Sequence, residues 1–261
     1  MTLHPLSAFL QPWFDAGTPD LSRLNAAARE RTVVTGSGAS LSFVMPPSDA
    51  ETYEQRAFLT GEVATRPGNS HDLFNALIWL AFPKTKAALN RRHVHAMREA
   101  PHQASAARGP LRDALTQFDE CGVVVAGSCR ELWAALCAHR WREVFVEQRD
   151  ELQRSTRFLV FGHASHEALA APFVGLCGKA LFIDVDAAWL SLPEAAALAA
   201  LDARLAALFD RRDYSPRDWQ PLPLLGIPGA TADNERPDYY DDARQFRPAR
   251  TMRPGSSPGN R

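Results

Sequence analysis

The side chains of this chain with the clearest capacity for chemistry are polar residues inside an otherwise apolar segment. His71, Asp72 and Asn75 lie in residues 70–81, where nearly every other position is apolar. That pattern predicts a buried helix, and Asn75 must then be hydrogen-bonded, because an unpaired buried amide costs roughly 1–3 kcal/mol. His71 lies one turn before Asn75 and faces the same way. A helix N-terminus disfavours imidazolium, so a neutral His71 suits metal ligation or proton abstraction.

Two further pairs of polar residues lie beside predicted strands. Asp119 and Glu120 come just before a glycine and an apolar strand, a loop position typical of functional carboxylates. His163 and Glu167 follow another strand at the point where it turns into a helix, and ligands often lie at such strand ends. Their spacing of four residues places them on one face and also occurs in zinc sites. The spacing leaves open whether a metal is bound.

The helix predicted after residue 83 combines a polar pair with many basic residues. Asn90 and His93 are three residues apart and share one face. This helix could present a phosphate- or RNA-binding surface, for which a solvated face paired with acids elsewhere is the alternative. Its basic and histidine residues are Lys84, Lys86, Arg91, Arg92, His93, His95 and Arg98.

Each polar group also has a purely structural interpretation. His71 and Asp72 could cap their helix while Asn75 tethers a loop, since buried polar networks are common. Asp119 and Glu120 could be exposed turn acids. Under this alternative the protein is structural and carries no site.

Composition and motifs exclude several classes of protein. The formal net charge is -1, from 29 Lys+Arg and 30 Asp+Glu, which gives no whole-molecule case for nucleic-acid or membrane binding. The four cysteines form no C-x-x-C pair, which argues against a zinc ribbon or a thioredoxin-like site. No nucleotide-binding or HExxH motif occurs. The N-terminal residues show no secretory signal pattern, and the cysteines are expected to be reduced. The chain is therefore predicted to be cytoplasmic.

The distribution of elements predicts a helix-rich α+β fold with a small sheet in a single compact domain, residues 1–243. Residues 244–261 form a basic tail, predicted to be disordered at its end, that contains Arg244, Arg247, Arg250, Arg253 and Arg261. A hairpin is expected over residues 33–45. Helices are expected over residues 18–29, 48–62, 70–81, 83–99 and 110–118 and from capping positions 128 and 191, with strands at 123–125, 158–161 and 181–183. Little regular structure is expected beyond Trp219.

Several of these segments resemble a family of uncharacterised bacterial proteins known as a domain of unknown function. The resemblance covers nearly the whole chain and is carried by residues 71–77, 82–90, 108–120, 161–163 and 221–229. It implies no activity, cofactor or catalytic residue. Where such proteins tend to have Glu-Asn-Gly, this chain has Glu120, Cys121 and Gly122, which weakens any role for the middle position.

The residues therefore favour an enzyme, specifically a hydrolase, with a His/Asp/Asn-rich site between His71 and His163. One histidine would act as base or ligand, a carboxylate would orient or ligate, and Asn75 and Asn90 would position a small-molecule substrate. The expected site residues are His71, Asp72, Asn75, Asn90, His93, Asp119, Glu120, His163 and Glu167. The alternative from another class is an RNA- or polyanion-binding protein that uses the basic helix and the arginine-rich tail.

Overall fold

A computed structural model describes residues 3–46, 52–99 and 109–249 of the chain. It has the predicted helix-rich α+β architecture, with short 3-10 helices and one π-helical turn, Glu143–Glu147, between the main elements. The α-helices are α1 (Leu21–Glu30), α2 (Tyr53–Thr60), α3 (Ser70–Ala81), α4 (Pro83–Glu99), α5 (Pro110–Cys121), α6 (Arg130–Cys137), α7 (Arg149–Ser155), α8 (His163–Leu169), α9 (Ala187–Leu190) and α10 (Glu194–Arg211). None of the helices in the described part of the chain is long and apolar enough to cross a membrane.

The strands form two small sheets. Strands β1 (Ser42–Val44) and β2 (Glu62–Ala64) pair in parallel. The larger sheet has the order β4-β3-β5-β6 and consists of β3 (Gly122–Gly127), β4 (Thr156–Val160), β5 (Cys177–Asp184) and β6 (Gln220–Pro223). Strand β3 is parallel to β5 and antiparallel to β4, and every one of its residues is buried. The valine-rich run of β3 is therefore the centre of the fold.

The larger sheet separates two hydrophobic cores, because alternate residues of a strand point to opposite faces. Val124 belongs to the core on the side of α3, α4, α5 and α10, where Phe118 is fully buried. Val123 and Val125 belong to the other core, which is formed with α6, α7 and the C-terminal segment. Packing continues past the predicted domain boundary, since Phe246 is buried in this second core. Residues 250–261 lie outside the described residues, so the nature of the tail's end stays a prediction.

Helices α3 and α4 begin and end where the sequence predicts. The Asn69 side chain caps α3 by accepting a hydrogen bond from the backbone N–H of Asp72 at 2.9 Å. Helix α3 stops before Phe82, and Pro83 occupies the first turn of α4, where a missing N–H is harmless. The tight junction between the two helices fixes their directions relative to each other.

Three predicted helix starts are wrong in position. Asp20, rather than Thr18, caps α1 through the N–H of Arg23. Ser128 does not cap α6, because its N–H bonds to the Ser155 carbonyl and prolongs the strand pairing, so the helix starts only at Arg130. Ser191 closes α9 rather than opening α10.

Other differences concern strand pairing near both ends of the chain. The predicted hairpin over residues 33–45 is reduced to one bridge between Val34 and Ser40, and the following strand pairs with β2 instead. Strand β6 lies beyond Trp219, where little regular structure is predicted, because its two prolines mask the strand pattern. Both prolines lie in an edge strand of the sheet, where a missing backbone N–H donor is tolerated. The capping box predicted at residues 48–51 lies outside the described residues, and α2 starts after Thr52.

Candidate functional site

Three helix ends meet at the candidate site. His71 lies in the first turn of α3, and His163 is the first residue of α8. Asp119 and Glu120 lie in the last turn of α5. The prediction of a loop position for these two acids is wrong, because α5 continues past Phe118 to Cys121 and runs directly into β3. The acids are therefore held by a helix.

Gly162 allows the start of α8 to approach the end of α5. A Cβ atom at this position would lie 2.3 Å from the Glu120 carbonyl oxygen and 2.5 Å from the Cα of Cys121. Both contacts are with backbone, which cannot rotate away. The N–H groups of Phe161 and Gly162 both donate to the Gly122 carbonyl at 2.9 Å. Because Gly162 has no side chain, His163 can lie next to Glu120.

Gly162→Ala is expected to destabilise the protein by about 1–3 kcal/mol and to separate His163 from Glu120, because the added methyl group overpacks a backbone contact. Thermal unfolding measures the first effect. Gly109→Ala is the matched control, since Gly109 is also an uncapped helix N-cap with φ near -64° and has open space around its Cβ direction. Equal melting temperatures for the two variants would contradict this role of Gly162.

His71, His163 and Glu120 direct potential ligand atoms at one point. The Nε2 atoms of the two histidines are 3.1 Å apart. The Glu120 Oε2 atom lies 3.4 Å from Nε2 of His163 and 3.9 Å from Nε2 of His71. Within the described ranges of the chain, this is the one group of three His, Cys, Asp or Glu side chains found with the geometry to hold a metal ion.

Both imidazole rings have a carboxylate behind them. The Nδ1 atom of His71 lies 3.2 Å from Oε2 of Glu167, within hydrogen-bonding range. The Nδ1 atom of His163 is buried and lies 3.7 Å from Oδ2 of Asp119. A carboxylate facing Nδ1 favours the tautomer with the proton on that atom. For His71 this tautomer leaves the lone pair of Nε2 directed at the shared point, whereas Nδ1 of His163 makes no hydrogen bond within the described residues.

The protonation of the site follows from burial and neighbouring charges. Burial lowers the pKa of His163 to about 4, so this ring is neutral near pH 7. Burial, reinforced by the Asp119 charge, raises the pKa of Glu120. Burial also opposes ionisation of Asp119, but the Lys86 ammonium outweighs it and holds the pKa of Asp119 below its ordinary value. Asp119 is therefore an anion behind a neutral imidazole.

A buried network supports Asp119 from the α4 side. The Lys86 ammonium donates to Asp119 Oδ1 at 2.6 Å and to Asn75 Oδ1 at 2.9 Å, and it lies 5.3 Å from the ring centre of Trp79. The Asn75 amide and the Trp79 indole N–H both donate to the Tyr53 hydroxyl, at 3.0 and 2.8 Å. Asn75 is buried and hydrogen-bonded, as its position in an apolar helix requires. Its amide is occupied by protein groups.

Asn90 and His93 lie on the same face of α4 but differ in their surroundings. The Asn90 amide donates to the backbone and carboxylate oxygens of Glu54 at 2.9 and 2.7 Å and accepts from the N–H of Gly36 at 3.2 Å. It holds α2 and the turn after α1 against α4. His93 instead lines the cavity, with its Nε2 atom 3.9 Å from Oε1 of Glu54. Burial lowers the pKa of His93.

A cavity of about 420 Å³ opens in front of the three potential ligands. The His71 and Glu120 side chains are 38% and 37% exposed, whereas His163 is only 5% exposed and forms the inner wall. Asp72 reaches the cavity wall but is bound by Arg66, whose side chain donates to both carboxylate oxygens. The cavity is lined by Thr52, Tyr53, Glu54, Arg66, His71, Asp72, Asn75, His93, Met97, Arg112, Thr116, Asp119, Glu120 and His163.

The structure brings most of the sequence-predicted site residues to this cavity and sets two apart. Asn90 and Glu167 do not line it, although Glu167 contacts His71. The sequence did not indicate Tyr53, Glu54 or Arg112 as neighbours of the site. No local pattern marks them, because Tyr53 and Glu54 reach the site from α2 and Arg112 from the first turn of α5.

The basic residues of α4 do not form one continuous charged surface. Lys86 points into the core and is 3% exposed, because it is the counter-ion of a buried carboxylate. Arg91 and Arg92 pair with acids at the end of α10 and just beyond it. Lys84 and Arg98 are exposed, and Arg98 lies over an aromatic ring. Binding of RNA or another polyanion by this helix and the tail stays a prediction.

These features define a helix-rich α+β protein whose cavity carries a candidate metal site. The chain belongs to the family described as "Protein of unknown function (DUF3025)", whose family model matches residues 41–250. This match confirms the resemblance to a domain of unknown function. No curated protein and no solved structure matches the chain. The family description assigns no activity.

Proposed function

We propose that this protein is a metal-dependent hydrolase in which His71, His163 and Glu120 hold a divalent ion, most suitably zinc. The observation that carries the proposal is the convergence of two imidazole Nε2 atoms and a carboxylate oxygen on one point. Two histidines and one glutamate, with a fourth position open to solvent, form a known type of catalytic zinc site.

A cation at this point would be coordinated by all three groups. In this proposal both rings carry their proton on Nδ1, so that two nitrogen lone pairs face each other at 3.1 Å. The Glu120 carboxylate adds a third acceptor at 3.4 Å from His163. Three acceptors without a donor repel one another unless a positive charge lies between them. Two nitrogen ligands at tetrahedral angles around zinc are about 3.3 Å apart, so the observed spacing needs little adjustment.

The remaining residues have supporting roles in this proposal. Glu167 and Asp119 orient the two imidazoles and increase their basicity, and Lys86 holds Asp119 in place. His93, neutral near pH 7 because burial lowers its pKa, faces the same cavity and is placed to accept a proton. When bound, the ion supplies Lewis acidity and makes water nucleophilic near neutral pH. Substrate then occupies the cavity.

The amides predicted to position substrate have other roles in this proposal. Asn75 and Asn90 are bound by protein groups on both their oxygen and nitrogen atoms. We assign them to the rigidity of the cavity wall. Cytoplasmic location is part of the proposal, supported by the four cysteines, each of which is a free thiol.

The test is hydrolysis that depends on metal. Purified protein is assayed against chromogenic carboxylate esters, amides and phosphate esters before and after removal of metal with a chelator. We expect turnover of one of these classes to be lost with the metal and restored by an equimolar amount of zinc. Turnover that survives complete metal removal would contradict the metal-dependent mechanism. Tight zinc binding without turnover of any class would leave a metal site and remove the hydrolase assignment.

A further inference from the structure

We propose that Arg112 binds an anionic group of the substrate, a carboxylate or a phosphate, at the end of the cavity away from His71, His163 and Glu120. That the bound anion is part of a substrate rests on the proposed hydrolase function. Anion binding by Arg112 is independent of that function, because it requires only the cavity and the guanidinium. The proposal defines the substrate class as small molecules that carry a negative group some distance from the bond that is cleaved.

Among the described residues, Arg112 is the cationic side chain of the cavity without a counter-ion. It lines the cavity from the first turn of α5, and its Nε atom is buried without a hydrogen-bond acceptor. No acid among the described residues lies within ion-pairing distance of it. Arg66, the other arginine of this cavity, is neutralised by Asp72, to which its Nε atom donates at 2.7 Å. The two arginines thus differ in availability to a ligand.

The acids of the cavity are each engaged with groups other than Arg112. Asp119 is bound by Lys86, Glu54 accepts from the Asn90 amide, and Glu120 faces His163. A half-buried guanidinium without a partner lowers stability, because it loses hydration and gains no bond in return. Such costs concentrate at functional sites, where the missing partner is the ligand. The planar guanidinium binds carboxylate and phosphate oxygens in pairs.

The position of Arg112 on α5 sets the dimensions of the ligand. Arg112, Thr116 and Glu120 are spaced by four residues, so they lie along one face of the helix and all three line the cavity. Arg112 and Glu120 are about 12 Å apart along the helix axis. A ligand whose anionic group meets Arg112 can therefore place a second group near the potential metal ligands. The volume of about 420 Å³ admits a small molecule rather than a polymer.

The test measures anion binding to the full-length protein without metal. Inorganic phosphate and succinate are titrated separately by calorimetry into the wild type, Arg112→Gln and Arg112→Lys. We expect the wild type to bind one of these anions and Arg112→Gln to bind it about ten- to a hundredfold more weakly, because a charge-assisted bond is lost. Arg112→Lys keeps the charge but loses the planar pair of donors, so its affinity for the anion should lie between those of the wild type and Arg112→Gln. The preferred anion distinguishes a phosphate-bearing from a carboxylate-bearing substrate.

A control variant and a stability measurement separate the possible failures. Arg29→Gln, at an exposed arginine of α1, should bind the anion as the wild type does. The titration is carried out without metal, so failure of the metal site leaves this result readable. Thermal unfolding without anion checks that Arg112→Gln is folded, and we expect it to be at least as stable as the wild type. Equal binding by the wild type and Arg112→Gln, or no binding of either anion to the wild type, would overturn the proposal.

Discussion

His163→Ala is expected to weaken zinc binding by more than about a hundredfold and to reduce metal-dependent turnover to background. Loss of a residue that only orients a metal ligand costs about 10–100-fold in metal affinity, and His163 supplies a ligand atom itself. His163 is also the inner wall of the site, 5% exposed, so water replaces its imidazole poorly. Competition with a chromophoric chelator measures the zinc affinity.

His95→Ala is the matched control for this variant. His95 is an exposed histidine on α4 that packs beside the Phe58 ring and lies outside the candidate site. Its removal should leave zinc affinity and turnover unchanged. An equal loss in both variants would mean that zinc binds to surface histidines. Unchanged affinity in His163→Ala would remove this residue from the metal site.

Lys86→Met is expected to destabilise the protein by about 3–5 kcal/mol, the range for removing one partner of a buried ion pair. Lys86 is 3% exposed and Asp119 is 13% exposed, so the carboxylate left behind has little water to solvate it. The Asn75 oxygen loses its donor at the same time. At about 2–4 °C per kcal/mol for a chain of this size, the melting temperature should fall by roughly 10 °C.

Arg91→Met is the control for Lys86→Met, because it removes a cation from the same helix. The ion pair of Arg91 with Asp210 is at the surface, with side chains 33% and 40% exposed, and should be worth less than about 1 kcal/mol. In the double variant Lys86→Met/Asp119→Leu, part of the lost stability should return, because no charge remains unpaired. Similar melting temperatures for Lys86→Met and Arg91→Met would show that the buried pair contributes no more than a surface one.

The fold class followed from the sequence because its strongest signals are local. Helix α3 has Asn69 as a cap and an apolar interior, and Pro83 both ends it and opens α4. The valine run of β3 has the length and residue types of a buried strand. The N-caps predicted at Ser128 and Ser191 are wrong for different reasons. The Ser128 N–H bonds to the Ser155 carbonyl, a long-range contact that a local pattern does not contain, whereas Ser191 ends the short helix α9 just before it.

The site was only partly predictable for the same reason. His71, His163 and the acids at 119 and 120 stood out as polar residues at the ends of apolar segments. Their convergence depends on Gly162, whose missing side chain allows α8 to contact α5, and a glycine before a helix is too common to indicate this. The sequence places Lys86 among several basic residues of α4 and does not show which of them has a buried acid opposite it.

The most direct test of the metal site is a crystal structure of the zinc-loaded protein with anomalous diffraction measured on both sides of the zinc absorption edge. We expect one strong anomalous peak, about 2.0–2.2 Å from Nε2 of His71, Nε2 of His163 and a carboxylate oxygen of Glu120. The peak should disappear in crystals of His163→Ala. A zinc-loaded crystal with no peak at these three side chains, or with zinc bound only elsewhere on the protein, would contradict the account.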